Sequence, residues 1–250
     1  MQMLSTERQA SLFREIARLR YDVYCAERGF LDKADYANGE ETDQYDVRSV
    51  HVAATDPSGV SVGTARLILG NQVTEFPFEQ HCTVYPQLEL PPRGQSAEVS
   101  RLIVRNVAHR SARHRGPGEL PRLLDSPDPI RIDNGANSRL GGSQITLELF
   151  RAMYRYSVRT GVRYWYAAME KGLVRLLGRM GFRFVPIGPE GDYYGPVAIY
   201  LADLREIEDS LRQSNEATLA WFCDASGSDG QLTTTLIEFD DSPAGANQQH

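Results

Sequence analysis

Ala97-Glu98-Val99-Ser100-Arg101-Leu102-Ile103-Val104 has the aliphatic content of a buried strand, with two opposite charges inside it. On a regular strand Glu98 and Ser100 face one way while Val99 and Arg101 face the other, because the side-chain period is two. Glu98 and Arg101 can share one site only if the strand twists or carries a bulge that re-aims the residues beyond it. Upstream lie Arg66, the run Asp43-Gln44-Tyr45-Asp46, and Arg20. Six charged residues within some eighty positions, in segments that otherwise read as buried, point to a polar site built by the fold. The same charges would also serve as an ion-pair network tying an N-terminal helix and loop to a sheet.

The flanking sequence supplies the elements. Thr6-Glu7-Arg8-Gln9 has a capping-box pattern, and Leu12, Phe13, Ile16, Leu19 and Val23 follow at helical spacing. Arg20 and Tyr24, four apart, share a face of that helix or its extension. Ser49 to Ala54 alternates, Asp56-Pro57-Ser58-Gly59 gives a turn, and Val60 to Leu69 resumes as a strand, so a hairpin is expected. Residues 70–96 read as loop with at most one short strand. A long irregular stretch, 106–143, follows the Ala97 to Val104 strand. Ser143 to Thr160 is a helix, Arg163 to Met169 a strand, Gly172 to Met180 a helix closed by Gly181, and Phe182 to Ile187 and Val197 to Leu204 are strands. A short helix is expected to cover the core through Leu219, Trp221 and Phe222, with residues 224–250 mainly disordered.

A chain of 250 residues with 41% hydrophobic content supports one sizeable core, read as a body over 1–204 and an acidic extension over 205–250. From Arg205 onward nine acidic residues face two arginines, so the net charge of −6 belongs to the extension and the body is near neutral. No apolar run approaches the roughly 20 residues of a membrane span, and the first residues lack a secretory leader pattern, so a cytoplasmic location is expected. Cys25, Cys82 and Cys223 have neither disulfide-framework nor zinc spacing, and no metal is expected.

The run Arg20-Tyr21-Asp22-Val23-Tyr24, Phe30, Asp43 and Asp46, Gly63-Thr64-Ala65-Arg66-Leu67, and Glu98-Val99-Ser100-Arg101 together resemble the acyl-homoserine lactone synthases. Tyr24 and Phe30 stand where those synthases usually have Phe and Trp. In the second half, Leu149 to Ser157, Trp165 to Glu170, Pro186-Ile187-Gly188-Pro189 and Asp192-Tyr193-Tyr194-Gly195 look like acyltransferases of the PEP-CTERM and exosortase system, which are similar to long-chain N-acyl amino acid synthases. The resemblance covers about residues 10–204 and implies a GNAT-like α/β acyltransferase fold, a mixed central sheet flanked by helices with a partly disordered C-terminal tail.

The reaction it implies joins an amine to a fatty acyl thioester without a resident cofactor; acyl carrier protein, or coenzyme A, would bring the acyl group. Glu98 would handle the proton, directly or through a water, and Arg101 would act beside it. The strand bulge that this fold is known for would free a backbone N–H for the thioester oxygen. Arg20, Tyr24, Phe30, Asp43, Asp46 and Arg66 would form the acceptor side, an arginine fork suiting a carboxylate and an aspartate an ammonium. Gly141-Gly142-Ser143 at a helix N-terminus would take the pantetheine or phosphate of the donor. Arg151, Arg155 and Arg159, with the basic stretch Arg105, Arg110, Arg113, Arg115 and Arg122, would dock the acidic carrier protein; the plainer reading is the wet side of a helix. Phe150, Tyr154, Tyr164, Trp165, Tyr166 and Phe184 would line an acyl tunnel, or simply be core. Nucleic acid fits poorly, and a lipid product would bring only transient contact with membranes. The rivals are a lactone synthase using S-adenosylmethionine and a non-catalytic acyl-binding module.

Overall fold

The computed structural model describes residues 5–105, 141–193, 195–224 and 232–239. The chain opens with helix α1 (Thr6–Tyr21), with Ser5 at the N-cap, one residue earlier than the sequence suggests. The helix widens into a π-helical segment, Asp22–Glu27, which carries Tyr24. Strands β1 (Ser49–Thr55) and β2 (Ser61–Leu69) form the expected antiparallel hairpin. Its turn is closed by the Asp56 carboxylate, which accepts from the backbone N–H groups of Ser58 at 2.9 Å and Val60 at 3.0 Å. A short helix α2 (Pro77–His81) occupies the stretch read as loop; Pro77 suits its first turn, and the Glu79 carboxylate accepts from the Phe76 N–H at 2.7 Å.

Next come β3 (Ser96–Val104), α3 (Gly142–Thr160), β4 (Tyr164–Met169), α4 (Lys171–Arg179), the two-residue strands β5 (Val185–Pro186) and β6 (Gly191–Asp192), and β7 (Pro196–Asp203). The strand expected over Phe182 to Ile187 shrinks to β5, because Phe182 and Phe184 turn into the core. The sheet order is β5-β7-β4-β3-β2-β1-β8, the last being Thr233–Glu238, with β6 on β7 and with β3 and β4 parallel. Helix α3 packs on one face over Val52, Ala65, Leu67, Val99 and Trp165. Gly63 permits this approach, since a Cβ there would stand 2.7 Å from Ile145 Cγ2. The opposite face carries a second apolar cluster, Ile68, Phe76, Phe78, Tyr166, Ile187 and Ile199. Among the described residues no helix is long and apolar enough to cross a membrane.

Beyond β7, α5 (Leu204–Ser214) and α6 (Glu216–Cys223) bury Ile207, Leu211 and Phe222 in the main core. The expectation of disorder from 224 onward is corrected at 232–239. There β8 (Thr233–Glu238) pairs antiparallel with β1 from Val50↔Glu238 to Thr55↔Thr233, and Leu232 and Ile237 are buried. Two fully buried aliphatic side chains correspond to about 3–6 kcal/mol of transfer free energy. Ending the chain after Ser226 is therefore expected to lower its urea midpoint sharply; an unchanged midpoint would return these residues to dispensable status.

Candidate active site

The charged residues converge where β1, β2 and β3 meet the loop that follows α1. Arg66, on β2, donates from Nη1 to Asp43 at 2.6 Å and Asp46 at 2.7 Å, and from Nε to the Ser100 hydroxyl at 3.0 Å. Arg20 donates to Asp46 at 3.0 Å from the other side. Asp46 also accepts from the Asp43 backbone N–H at 2.9 Å, which locks the loop's turn onto its own carboxylate. Burial pushes the Asp46 carboxyl up, but Arg20, Arg66 and that N–H prevail and hold it at about 2. The chain Arg20, Asp46, Arg66, Asp43, Arg101 is continuous, and its two ends differ. Arg20 and Arg66 are sealed, whereas Asp43 and Arg101 retain 22% and 20% of their side-chain surface, so these two can touch a small molecule.

Arg101 reaches this site because β3 is bulged. Arg66 pairs with Ser100 and Thr64 with Ile103, so β3 spends one more residue than β2 over this interval, and Arg101 and Leu102 have no opposite number. Arg101 has φ 53°, alone among the described non-glycine residues in being positive, a conformation that costs of order 1–3 kcal/mol. Glu41 holds it there: its carboxylate accepts from Arg101 Nη2 at 2.7 Å and Nε at 3.2 Å. This contact, against the opposing effect of burial, raises the guanidinium's pKa further above its already high value. The Tyr24 ring lies 5.3 Å from the same guanidinium and 6.4 Å from Phe30, so both aromatic candidates gather beside Arg101.

Glu98 sits on the same face of β3 as Ser100, beside Tyr166 of β4, which packs in turn against Phe76 and Phe78. Its Oε2 accepts from the Phe78 N–H in the first turn of α2 at 3.1 Å. Burial pushes its carboxyl up to about 7, and neither that N–H nor Arg66, Arg101 and Arg48 brings it back to the ordinary range. The sequence gives the arginines and Glu98; only packing reveals that desolvation wins. The parallel pairing of β3 and β4 stops at Glu98↔Tyr166 although both strands continue, so they part beside Glu98 and leave a wedge. Gly142, at the start of α3, lies against the far end of β3, where an added Cβ would be 3.6 Å from Val104 Cγ1. Gly141 and Ser143 beside it are exposed.

The remaining candidates divide. Arg151 is corrected: it is buried, its guanidinium 4.2 Å from the Trp221 ring and donating to the Asp224 carbonyl at 3.2 Å, because α6 covers that side of α3. Arg155 is half-buried, and Arg159, exposed, lies 3.5 Å from Glu238 of β8. Of the basic stretch, Arg105 is described and meets Asp22 at 3.2 Å and Glu27 at 3.3 Å; the others fall outside the described residues. Among the tunnel aromatics, Tyr166 borders Glu98, while Phe150, Tyr154, Trp165 and Phe184 belong to the core under α3. Sequence reasoning missed Glu41 and His51. His51 was within reach, for it alternates with Val50 and Val52 and so had to face the side opposite the main core, directly across from Arg66. Among the described residues no group of three or more His, Cys, Asp or Glu is placed to hold a metal.

These shifts set an acid profile. Burial, then Arg20, lowers His51 to about 3, below the ~6.5 of an unfolded histidine, so its contribution to stability is lost as pH falls from about 6.5 to 3. Glu98, raised to about 7 from an unfolded ~4.3, works oppositely and gains stability as pH falls through the same upper range. Asp46, at about 2 against an unfolded ~3.9, adds its loss below about pH 4. Urea unfolding of the native chain is thus expected to change little between about pH 6.5 and 4.5 and to weaken steeply below. Glu98→Gln removes the compensation, and its stability should already decline from about pH 6.5; parallel curves for the two proteins would contradict these assignments.

Residues 19–115 match the model of the acetyltransferase (GNAT) domain, a span that runs from Arg20 through Arg101. No curated protein matches the chain. Among solved structures, LasI, an AHL synthase, superposes with a TM-score of 0.55 at 20% identity, covering 82% of this chain and 89% of its own. TofI, solved with an inhibitor and MTA, gives 0.55 at 18% identity, over 81% of this chain and 90% of its own. BjaI, a CoA-dependent acyl-homoserine lactone synthase solved with SAM and isopentyl-CoA, gives 0.52 at 20% identity, covering 82% of each chain. At these identities the likeness is one of fold. With its bulged third strand, parted parallel pair and GNAT domain match, the chain has the α/β fold of the GNAT acyltransferase enzymes.

Proposed function

We propose that this protein is an N-acyltransferase that moves a fatty acyl group from a carrier-protein thioester to the amine of an amino acid or related small molecule. One observation carries the reading. The bulge brings Arg101 beside Asp43 at the accessible end of the ion network, while Glu98 stays dry at the point where β3 and β4 part. The wedge is the place for an extended acyl-pantetheine thioester, with the start of α3 at its far end. Arg101 suits the acceptor's carboxylate and Asp43 its ammonium. Glu98, titrating near 7, is matched to removing a proton from that ammonium, directly or through one water. The amine then attacks the thioester carbon, and the C–N bond forms as the carbonyl electrons move to oxygen, where a backbone N–H of the bulge stabilises them. Collapse breaks the C–S bond as the attached nitrogen loses its second proton to the leaving thiolate, and the first proton, held by Glu98, passes to solvent.

Helix α4, which follows β4 directly at the wedge, exposes Lys171, Arg175 and Arg179, with Arg183 just beyond, around a shallow depression of about 560 Å³ lined by Gly172, Arg175, Gly178 and Arg179. This cationic face replaces the α3 stripe as the dock for an acidic carrier protein. The resemblance of the second half to exosortase-associated acyltransferases favours an amino acid acceptor. The fold likeness to LasI and BjaI favours a lactone product from S-adenosylmethionine as the second reading. Mass spectrometry of reactions containing acyl carrier protein thioesters with amino acids or with S-adenosylmethionine separates the two. An acyl amino acid is expected; bound acyl chains with no product from either acceptor would overturn catalysis altogether.

A further inference from the structure

His51 occupies the centre of β1, fully buried, with Arg66 opposite it on β2 and Ile237 opposite it on β8. Its two ring nitrogens meet partners of opposite kind. Nδ1 is 2.7 Å from Arg20 Nη2, and a guanidinium only donates, so Nδ1 must be the bare, accepting nitrogen. Nε2 is 3.2 Å from the Asp46 carbonyl, which only accepts, so Nε2 must carry the proton. The contacts therefore define a single neutral tautomer. A second proton on the ring would set an N–H against the Arg20 guanidinium, and Arg20 is one of the two arginines gripping Asp46.

The ring is closed from above by aromatic contacts from both ends of the described chain. Phe13 of α1 lies 4.8 Å from it, Phe239 just beyond β8 lies 5.7 Å from it, and the two phenylalanines meet edge to face at 4.8 Å. The charged groups facing His51 are Arg20 from α1, Asp46 from the loop and Arg66 from β2. From β8 the facing groups are apolar, since Glu238 turns toward Arg159.

Resting on the acceptor site described above, we propose that His51, as the Nε2–H tautomer sealed by Phe13 and Phe239, is a positioning residue. It sets Arg20 and Asp46 beneath Arg66, and so sets the Asp43 and Arg101 pair that receives the acceptor. The C-terminal strand is then a working part of the acceptor site. It touches no substrate and acts through one imidazole.

Two measurements on the full chain decide this. In a ¹⁵N-histidine-labelled sample the His51 ring should show a protonated Nε2 and bare Nδ1 at pH 7 and keep that pattern to pH 5, whereas Phe239→Ala should let it protonate at higher pH. A ring that is cationic or Nδ1-protonated at pH 7 overturns the proposal. In steady-state acyl transfer, His51→Leu should raise the acceptor KM roughly tenfold and leave the donor KM unchanged. His51→Asn, whose Oδ1 can still accept from Arg20, should recover most of that loss. An unchanged acceptor KM in His51→Leu, or donor and acceptor KM rising together, also overturns it. If the native chain transfers no acyl group to any amine, the functional reading fails, and the nitrogen spectra alone then decide whether His51 is held as described.

Discussion

Glu98→Gln is expected to reduce acyl transfer about 10²- to 10⁴-fold, the usual contribution of a positioned proton acceptor, while leaving the protein folded. The substitution keeps shape and volume and removes only the ability to take a proton. Glu98 has one backbone donor, Phe78 N–H, and lies beside Tyr166, so above about pH 7 it is a buried charge with little direct support. Its neutral analogue should be at least as stable there. The native rate should rise with pH through about 7, as Glu98 loses its proton, and the residual rate of the variant should lack that inflection. Circular dichroism, urea midpoints and pH–rate profiles of the two proteins make the comparison. A fully active variant would remove Glu98 from the chemistry and leave the charged site without a base.

Arg66→Ala should have the largest effect on stability of any single change in the site, about 3–5 kcal/mol. Its guanidinium is the shared donor for Asp43 and Asp46 and reaches Ser100 as well. Without it, Asp46 would keep Arg20 and the Asp43 N–H but lose its second arginine. Arg66→Lys should recover little, because an ammonium cannot reproduce the planar fork that serves three acceptors on two sides. Asp43→Asn should behave oppositely, with modest loss of stability and a strong rise in acceptor KM, since Asp43 is partly open to solvent. Equal destabilisation by all three changes would argue that the network only fastens α1 and its loop to the sheet.

The residues of this network are unequally legible in the sequence. The mismatch between Glu98 and Arg101 on a two-residue period calls for a twist or a bulge if the two share one site, and the register shift opposite Thr64 and Arg66 is a bulge. The hairpin and α3 were legible because alternation and helical spacing are local. Glu41 was not, since it sits in irregular chain and meets Arg101 only through the fold. Arg151 misled for the complementary reason: spacing along α3 marks a stripe, but α6, some seventy residues on, decides whether that stripe is wet. Residues 232–239 were hidden by their setting. Gly, Ser, Pro and Asn around them resemble a disordered tail, while Leu232 and Ile237 find burial only because β1 offers a ladder.

That ladder has a further consequence. β1 is Ser-Val-His-Val-Ala-Ala-Thr, buried on both faces and lacking lysine, proline or any permanently charged side chain. Left at the border of the sheet it would present unpaired N–H and C=O groups on a flat, apolar strand, the kind of template on which chains pair with one another. β8 covers it with Thr233-Thr234-Thr235 and Glu238, short, hydroxyl-rich and partly exposed, which makes a poorer template. Loss of the strand should thus promote self-association through β1, and Val52→Lys in the shortened chain should suppress that association without restoring the fold.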